Sequence, residues 1–155
     1  ILQLMDCSWI ERAENVLITG ATGCGKSYLA CAIGQQACQQ GLKVSYLNLN
    51  RFIEKVALAR LDGSFNKILD NLEKMQLVIL DDFGLAPLTQ DVKLALLQIL
   101  EDRYGRKATI IASQIPVAQW YEYINEPTVA DAILDRIVPK AHRFELEGPS
   151  LRNKK

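Results

Sequence analysis

Short apolar runs alternate with longer amphipathic stretches along this chain of 155 residues. Apolar runs of about four to eight residues are typical of buried strands, whereas apolar positions repeated every three or four residues indicate helices. The pattern predicts five strands, which cover residues 15–20, 43–48, 77–80, 108–112 and 143–146. It predicts helices between them over residues 27–40, 49–60, 64–74, 89–104, 116–123 and 128–137.

Turn and cap signals set the limits of these helices. Gly41 follows the first helix as a C-terminal cap, and Asp62-Gly63 separates the second helix from the third. Thr89 or Gln90 caps the fourth helix, Glu126-Pro127 ends the fifth, and Thr128 is expected to cap the sixth. Strands that alternate with helices predict an α/β fold: a five-stranded parallel sheet with right-handed crossovers and helices on both faces.

The connection after the first strand has the spacing of a phosphate-binding loop, Gly20-x-x-x-x-Gly25-Lys26-Ser27, with a strand before it and a helix after it. Glycines free the backbone to point successive N–H groups at a phosphate, and the helix N-terminus adds its dipole. Lys26 supplies charge for the β- and γ-phosphates, and Ser27 supplies a hydroxyl for Mg²⁺. The predicted nucleotide contacts are Gly20, Ala21, Thr22, Gly23, Cys24, Gly25, Lys26, Ser27 and Tyr28.

Two carboxylates, Asp81 and Asp82, follow the apolar run 77–80. A carboxylate at the end of a buried strand needs a cation or hydrogen bonds to compensate for its lost hydration. We predict that Asp81 holds Mg²⁺ through water beside Ser27 and that Asp82 orients and polarises the attacking water. The alternative is an ordinary turn with acids that cap the next helix, which the upstream phosphate loop disfavours.

Polar residues also follow the fourth strand, where Ser113 and Gln114 could reach the γ-phosphate or the attacking water. A solvated strand end is the alternative.

Arg136 lies late on the last predicted helix, where a cation is favourable in any case because of the helix dipole. It could instead act as an arginine finger on the γ-phosphate of a neighbouring subunit, which requires an oligomer.

Composition limits the classes of function. The chain has 49% hydrophobic and 23% charged residues, which is typical of a soluble globular protein. We expect residues 1–155 to form one domain. Eighteen basic residues balance eighteen acidic ones, so any contact with nucleic acid must be local. No apolar run approaches a membrane span and the N-terminus is unlike a signal peptide, so a cytoplasmic location is expected. The absent initiator Met suggests that the chain is a fragment.

The thiols and the imidazole do not form an evident metal site. The four cysteines contain no C-x-x-C pair, so they are expected to be small apolar side chains in a reducing cytosol. His142 is the only histidine, which excludes a histidine cluster.

Five segments together resemble the IstB family, which are AAA+ ATPases of the P-loop class that assist insertion-sequence transposases and are related to the DnaC and DnaI helicase loaders. The segments are 20–27, 77–88, 109–114, 127–136 and 148–152. The resemblance covers nearly the whole chain, and 81–88 (Asp-Asp-Phe-Gly-Leu-Ala-Pro-Leu) and 130–136 (Ala-Asp-Ala-Ile-Leu-Asp-Arg) are its more specific parts. It implies a three-layer AAA+ core that lacks the family's N-terminal region.

The resemblance also implies roles for individual residues. Asp81 and Asp82 match the Walker B pair, although most AAA+ proteins have glutamate at the second position. Gln114 matches sensor 1, where asparagine is commoner, Arg136 matches the arginine finger, and Arg152 resembles the second-sensor arginine. The implied cofactors are ATP and Mg²⁺.

The resemblance implies that residues 49–74 correspond to a helical insertion of the initiator and loader clade, which touches DNA in relatives. The segment offers Arg51, Lys55, Arg60 and Lys67, and a solvated amphipathic face explains these charges equally well.

The implied function is an ATPase that assembles as a homo-oligomer on duplex DNA and assists a transposase in target selection, with no membrane partner. A helicase loader would differ only in its partner, a replicative helicase. A nucleotide-gated DNA-binding module with negligible turnover remains open because Asp82 is one methylene shorter than glutamate. A small-molecule kinase is disfavoured because the chain lacks an arginine-rich lid.

Overall fold

The computed structural model describes residues 2–21 and 25–147. The strands are β1 (Val16–Gly20), β2 (Val44–Asn48), β3 (Leu77–Phe83), β4 (Ala108–Ser113) and β5 (His142–Leu146). The helices are α1 (Ser8–Glu11), α2 (Lys26–Gln39), α3 (Leu49–Asp62), α4 (Phe65–Glu73), α5 (Gln90–Arg103), α6 (Trp120–Ile124) and α7 (Pro127–Ile137). Short 3₁₀ helices cover Leu2–Leu4 and Val117–Gln119.

Over the described residues the five strands form one parallel sheet in the order β2-β3-β4-β1-β5. This confirms the predicted α/β architecture. The order makes β3, β4 and β1 consecutive neighbours. Because the carboxyl ends of parallel strands lie at one edge, the segments that follow these three strands meet there.

The two faces of the sheet have separate apolar cores, as the alternation of side chains along a strand requires. Ile18, Ile79 and Ile110 pack with α1 and α2 on one face, whereas Leu17 and Leu80 pack with α3 to α7 on the other. The sheet is therefore covered by helices on both faces, which confirms the predicted three layers. The described helices include none that is both long and apolar enough to cross a membrane.

The helix boundaries agree with the sequence signals at most ends. The Thr89 hydroxyl caps α5 by accepting from the Val92 N–H at 3.2 Å, and Gly63 ends α3 with φ of +81°. The predicted cap of α7 was wrong: this helix begins one residue before Thr128, at Pro127, with Glu126 at the cap position. Proline is favoured at the first helical position because its missing N–H would be unpaired there anyway.

The N-terminal segment folds onto the core, which the strand and helix periodicity did not predict. Trp9 on α1 is 1% exposed, and its indole N–H donates to the Leu4 carbonyl at 2.8 Å. Cys7 is buried beside it, as expected of a small apolar side chain, but Cys31 and Cys38 on α2 are exposed.

A buried arginine at the end of α5 joins three elements. Arg103 donates to the carbonyls of Leu72 and Met75, at 2.8 and 2.7 Å, and to the Thr109 hydroxyl at 3.1 Å. Burial lowers the pKa of Arg103 to about 10. Carbonyls at the C-terminus of α4 provide partial negative charge, which compensates for the buried cation. The arginine therefore fixes the end of α4 and the start of β4 against α5.

Candidate nucleotide site

The ends of the predicted phosphate loop have the expected conformation. β1 ends at Gly20, α2 begins at Lys26, and Gly25 between them has φ of +93° with open space where a Cβ would lie. Glycine is required at this φ, but Gly20 is part of the strand and needs no such freedom. Thr22, Gly23 and Cys24 lie outside the described residues.

A cavity of about 390 Å³ lies at the carboxyl edge of the sheet, directly beside the start of α2. Lys26 is only 7% exposed in its wall, whereas Tyr28 is 81% exposed at its rim. Its lining residues are Gly25, Lys26, Ser27, Tyr28, Asp82, Leu85 and Gln114. The structure thus brings together four of the predicted catalytic and metal residues, Lys26, Ser27, Asp82 and Gln114.

The two acids after β3 reach their positions through a bulge. The register of β3 against β4 shifts between Leu80 and Phe83, and Asp82 has φ of +62°. In a regular strand Asp81 and Asp82 would point to opposite faces of the sheet. A bulge re-aims side chains, and here Asp82 lines the cavity while Asp81 is 1% exposed.

Two residues of β2 that sequence reasoning missed hold these acids. The Asn48 amide donates to Asp82 Oδ2 at 2.6 Å, and the Tyr46 hydroxyl donates to Asp81 Oδ2. The Asp82 N–H donates to Asp81 Oδ1 at 2.8 Å. Burial, followed by the bond to Asp81, raises the pKa of Tyr46 above its ordinary value, so this hydroxyl stays protonated and donates. The only sequence signal was a pair of polar residues at a strand end.

The residues after β4 have different environments. Ser113 is fully buried, and its hydroxyl donates to the Phe83 carbonyl at 2.5 Å and accepts from the Ile115 N–H at 3.2 Å. It therefore joins β4 to β3, and the expectation that it reaches a phosphate was wrong. Gln114 instead lines the cavity and also a neighbouring one of about 230 Å³ that includes Gly20 and Ala21.

Arg136 lies at the opposite edge of the sheet. Its carbonyl accepts from the Asn15 amide at 3.4 Å, and Asn15 directly precedes β1. Its guanidinium lies 3.4 Å from Glu101 and 5.7 Å from the ring centroid of Tyr104, both near the end of α5. A strand of about five residues spans roughly 16 Å, which separates Arg136 from the phosphate loop of the same chain. Arg152 lies outside the described residues.

The predicted Mg²⁺ site fits the side chains near the cavity. Asp81 is buried with two hydrogen bonds, and no ion pair to it occurs within residues 2–21 and 25–147. The described chain has no cluster of three His, Cys, Asp or Glu side chains that could hold a metal alone. A cation shared between a nucleotide and one or two protein oxygens, from Ser27 and Asp81, matches this sparse donor set.

The family described as IstB-like ATP binding protein matches residues 1–155. The chain belongs to this family. Among relatives of the IstB-like chain, the insertion sequence ATP-binding protein y4pL of Sinorhizobium fredii is 50% identical over 151 residues, which are 97% of this chain and 62% of the relative. The insertion sequence IS21 ATP-binding protein of Pseudomonas aeruginosa is 30% identical over 99% of this chain and 58% of its own length. The chain spans about 60% of the length of these relatives.

Two solved structures illustrate the fold that this chain shares. DnaI superposes with a TM-score of 0.81 at 20% identity, over 94% of this IstB-like chain and 82% of DnaI. The DnaC helicase loader superposes with a TM-score of 0.77 at 18% identity, over 94% of this chain and 86% of the loader. At these identities the likeness shows the fold alone, which is the P-loop AAA+ fold.

Proposed function

We propose that this chain is the ATP-hydrolysing core of a transposition helper, which assembles on duplex DNA and assists an insertion-sequence transposase. The observation that carries the proposal is the cavity at the carboxyl edge of the sheet. It combines Lys26 and Ser27 with the carboxylate of Asp82 and the amide of Gln114. Phosphoryl transfer to water requires these groups: a phosphate clamp, a residue that orients water, and a polar contact for the γ-phosphate.

The residues of the cavity divide the work of hydrolysis. Lys26 and the backbone N–H groups at the start of α2 bind the β- and γ-phosphates of ATP. Asp82 accepts a hydrogen bond from the attacking water and orients it toward the γ-phosphorus, while Asn48 fixes this carboxylate from the other side. Gln114 contacts the γ-phosphate. Water attack then breaks the bond to the β-phosphate and releases ADP and phosphate.

Ser27 and Asp81 are the residues that would hold Mg²⁺. When bound, the ion neutralises charge that develops on the β- and γ-phosphates. Asp81 would contact it through water, while its own oxygens each accept one hydrogen bond, from Tyr46 and from the Asp82 N–H.

Arg136 would act on the nucleotide of a second copy. Its position at the amino edge of the sheet leaves it remote from the phosphate loop of its own chain. A head-to-tail arrangement places the amino edge of one copy against the carboxyl edge of the next. Such heterologous contacts repeat into rings or helical filaments, which are suited to assembly along DNA. Before a second copy binds, Glu101 and Tyr104 hold the Arg136 guanidinium near the α5 helix of its own chain.

The basic residues of α3 and α4 fall into two groups, and the position of one group supports the proposed contact with DNA. Arg51 and Lys55 line a cavity of about 490 Å³, and Lys55 and Lys67 line one of about 570 Å³. Arg60 lies apart, stacked 4.0 Å from the Phe65 ring centroid and 3.9 Å from Asp91. Arg51, Lys55 and Lys67 are therefore the proposed phosphate contacts, and Arg60 is assigned to the solvated face.

Two proposals differ only in the partner. Relatives that are named for insertion sequences, at up to 50% identity among those given above, favour a transposase. The fold of the DnaC helicase loader supports the second candidate, a loader that grips a replicative helicase. Co-purification of the full-length protein with each partner separates them.

Phosphate release from ATP by the full-length protein, at one fixed salt concentration with and without duplex DNA, tests the proposal. Duplex should stimulate release, because assembly brings Arg136 to the next subunit's nucleotide. An Arg136→Ala variant should retain ATP binding and lose the stimulation, as removal of an arginine finger costs about 1,000-fold or more in turnover. An Arg106→Ala variant, which removes an arginine with 70% side-chain exposure, is the control.

ATP binding without turnover in either condition would overturn the ATPase proposal in favour of a nucleotide-gated module. Phosphoryl transfer to a metabolite would overturn both.

A further inference from the structure

Tyr46 carries an interaction with the proposed magnesium site that the phosphate-loop pattern does not assign. The residue lies on β2 opposite Ile79 of β3, and Asn48 lies opposite Asp81. Residues two apart on a strand share a face, so Tyr46 and Asn48 project to the same side of the sheet. The tyrosine is long enough to reach two residues forward along β3, from the level of Ile79 to Asp81, where its hydroxyl donates to Oδ2.

This contact is one of two that fix the Asp81 carboxylate. The Asp82 N–H holds Oδ1 at 2.8 Å and the Tyr46 hydroxyl holds Oδ2, so each oxygen has one donor. Because the backbone donor alone would leave the carboxylate free to turn about its Cβ–Cγ bond, the tyrosine defines the plane of the group. One lone pair on each oxygen is left to accept from waters of a bound cation.

We propose that Tyr46 is a positioning residue for Mg²⁺: it holds Asp81 in the orientation that accepts from the ion's waters. The inference rests on the proposed ATP site and assigns no chemical step to the tyrosine. Groups that orient a metal-binding side chain typically contribute about 10- to 100-fold to metal affinity. Tyr46 supplies this contact from the edge strand of the sheet, so its loss should affect the cation more than the phosphate loop.

A Tyr46→Phe variant tests the inference, since it keeps the ring and removes only the hydroxyl. Binding of fluorescently labelled ADP to the full-length protein would be measured in EDTA and across a Mg²⁺ titration. The variant should need about 10-fold more Mg²⁺ for half of the Mg²⁺-dependent gain in affinity, with its EDTA affinity unchanged. Tyr123→Phe, which removes a hydroxyl that donates to the Ala86 carbonyl, should leave the Mg²⁺ requirement unchanged.

A double-mutant cycle with Asp81→Asn separates positioning from a general loss of stability. In the Asp81→Asn background, Tyr46→Phe should add no further loss of Mg²⁺ dependence, because the tyrosine acts through that carboxylate. An additive loss, or an equal fall of affinity in EDTA and in Mg²⁺, would overturn the inference. Wild-type protein that fails to bind ADP would instead overturn the proposed function, whereas Mg²⁺-dependent binding that Tyr46→Phe leaves unchanged would overturn only the role of Tyr46.

Discussion

Asp82 has a left-handed backbone conformation, with φ of +62°, which residues other than glycine rarely adopt. A left-handed conformation costs about 1–2 kcal/mol for most residues, and aspartate tolerates it better because its side chain bonds locally. The Asn48 amide at 2.6 Å and the strand pairing on both sides of β3 maintain it. The conformation directs this carboxylate into the cavity that Lys26 lines. The strained residue is therefore the same one that is proposed to orient the attacking water.

Lys26→Ala should remove nucleotide binding. The side chain is almost fully buried in the wall of the cavity, and loss of one partner of a buried charge pair costs about 2–5 kcal/mol, so ATP affinity should fall at least about 30-fold. Calorimetric titration with ATP and Mg²⁺ measures this. Lys43→Ala is the matched control, because Lys43 is exposed and lies directly before β2. Unchanged ATP affinity in the Lys26 variant would contradict the placement of the phosphates.

The end of β3 and the loop after it act as one element. The bulge turns Asp82, Phe83 packs edge-on against Trp120 and Tyr123 at 4.9 Å between ring centroids, and Gly84 then has φ of +100°. A Cβ on Gly84 would lie 2.8 Å from Ile115 Cγ1, so the loop after β3 touches the loop after β4. These contacts bring the Asp82 loop and the Gln114 segment together.

Gly84→Ala should destabilise the fold more than Gly63→Ala does. Both glycines have positive φ, but a Cβ at Gly63 meets open space. The backbone conformation should cost about 1–2 kcal/mol in each variant. The overlap with Ile115 should add about 1–3 kcal/mol to Gly84→Ala alone.

Urea denaturation of the two variants gives the free energy of unfolding. Equal losses in the two would mean that the loop after β4 moves away without cost, which would contradict the close contact.

At the scale of the whole molecule, the two edges of the sheet carry different groups of residues. The carboxyl edge carries the cavity, and the amino edge carries Arg136 and the contacts that fix the first strand. There Asn15 Oδ1 accepts from the Thr109 N–H at 3.0 Å, and the Asn15 carbonyl accepts from the His142 N–H at 2.9 Å. Glu14 adds side-chain bonds to Arg12 and His142, each at 2.8 Å, which tie the N-terminal turn to β5.

Acid should weaken the fold partly through Glu14. Bonds from Arg12, and then from His142, lower the pKa of Glu14 from 4.5 to about 2. The folded state therefore binds this proton less tightly than the unfolded state does. The resulting stability is fully present above about pH 4.5 and is lost as the pH falls toward 2.

Glu14→Gln should flatten this part of the pH dependence. Urea midpoints of wild type and variant should differ at pH 6 and converge as the pH approaches 2. Glu11→Gln, which removes an exposed carboxylate on α1, serves as the control. Parallel curves for wild type and the Glu14 variant would rule out the predicted contribution.

The sequence by itself determined the strands, the helices between them and the spacing of the phosphate loop, because these depend on local patterns. Apolar runs gave all five strands to within a few residues, and Gly25-Lys26-Ser27 fixed the start of α2. The phosphate loop predicted a nucleotide site, and the five segments that resemble the IstB family predicted an ATP-binding family, which the match over residues 1–155 confirmed. The roles of Lys26, Asp82, Gln114 and Arg136 remain predictions.

Only the tertiary structure decided which side chains meet. Tyr46 and Asn48 lie 35 and 34 positions from their acids along the sequence, and strand pairing brings them into contact. The bulge at Asp82 and the burial of Ser113 depend on register with a neighbouring strand, which no local pattern encodes. Arg136 was placed on a helix by periodicity, but its position at the edge opposite the phosphate loop follows from how α7 packs. Long-range packing sets these features because each needs a partner that is distant along the chain.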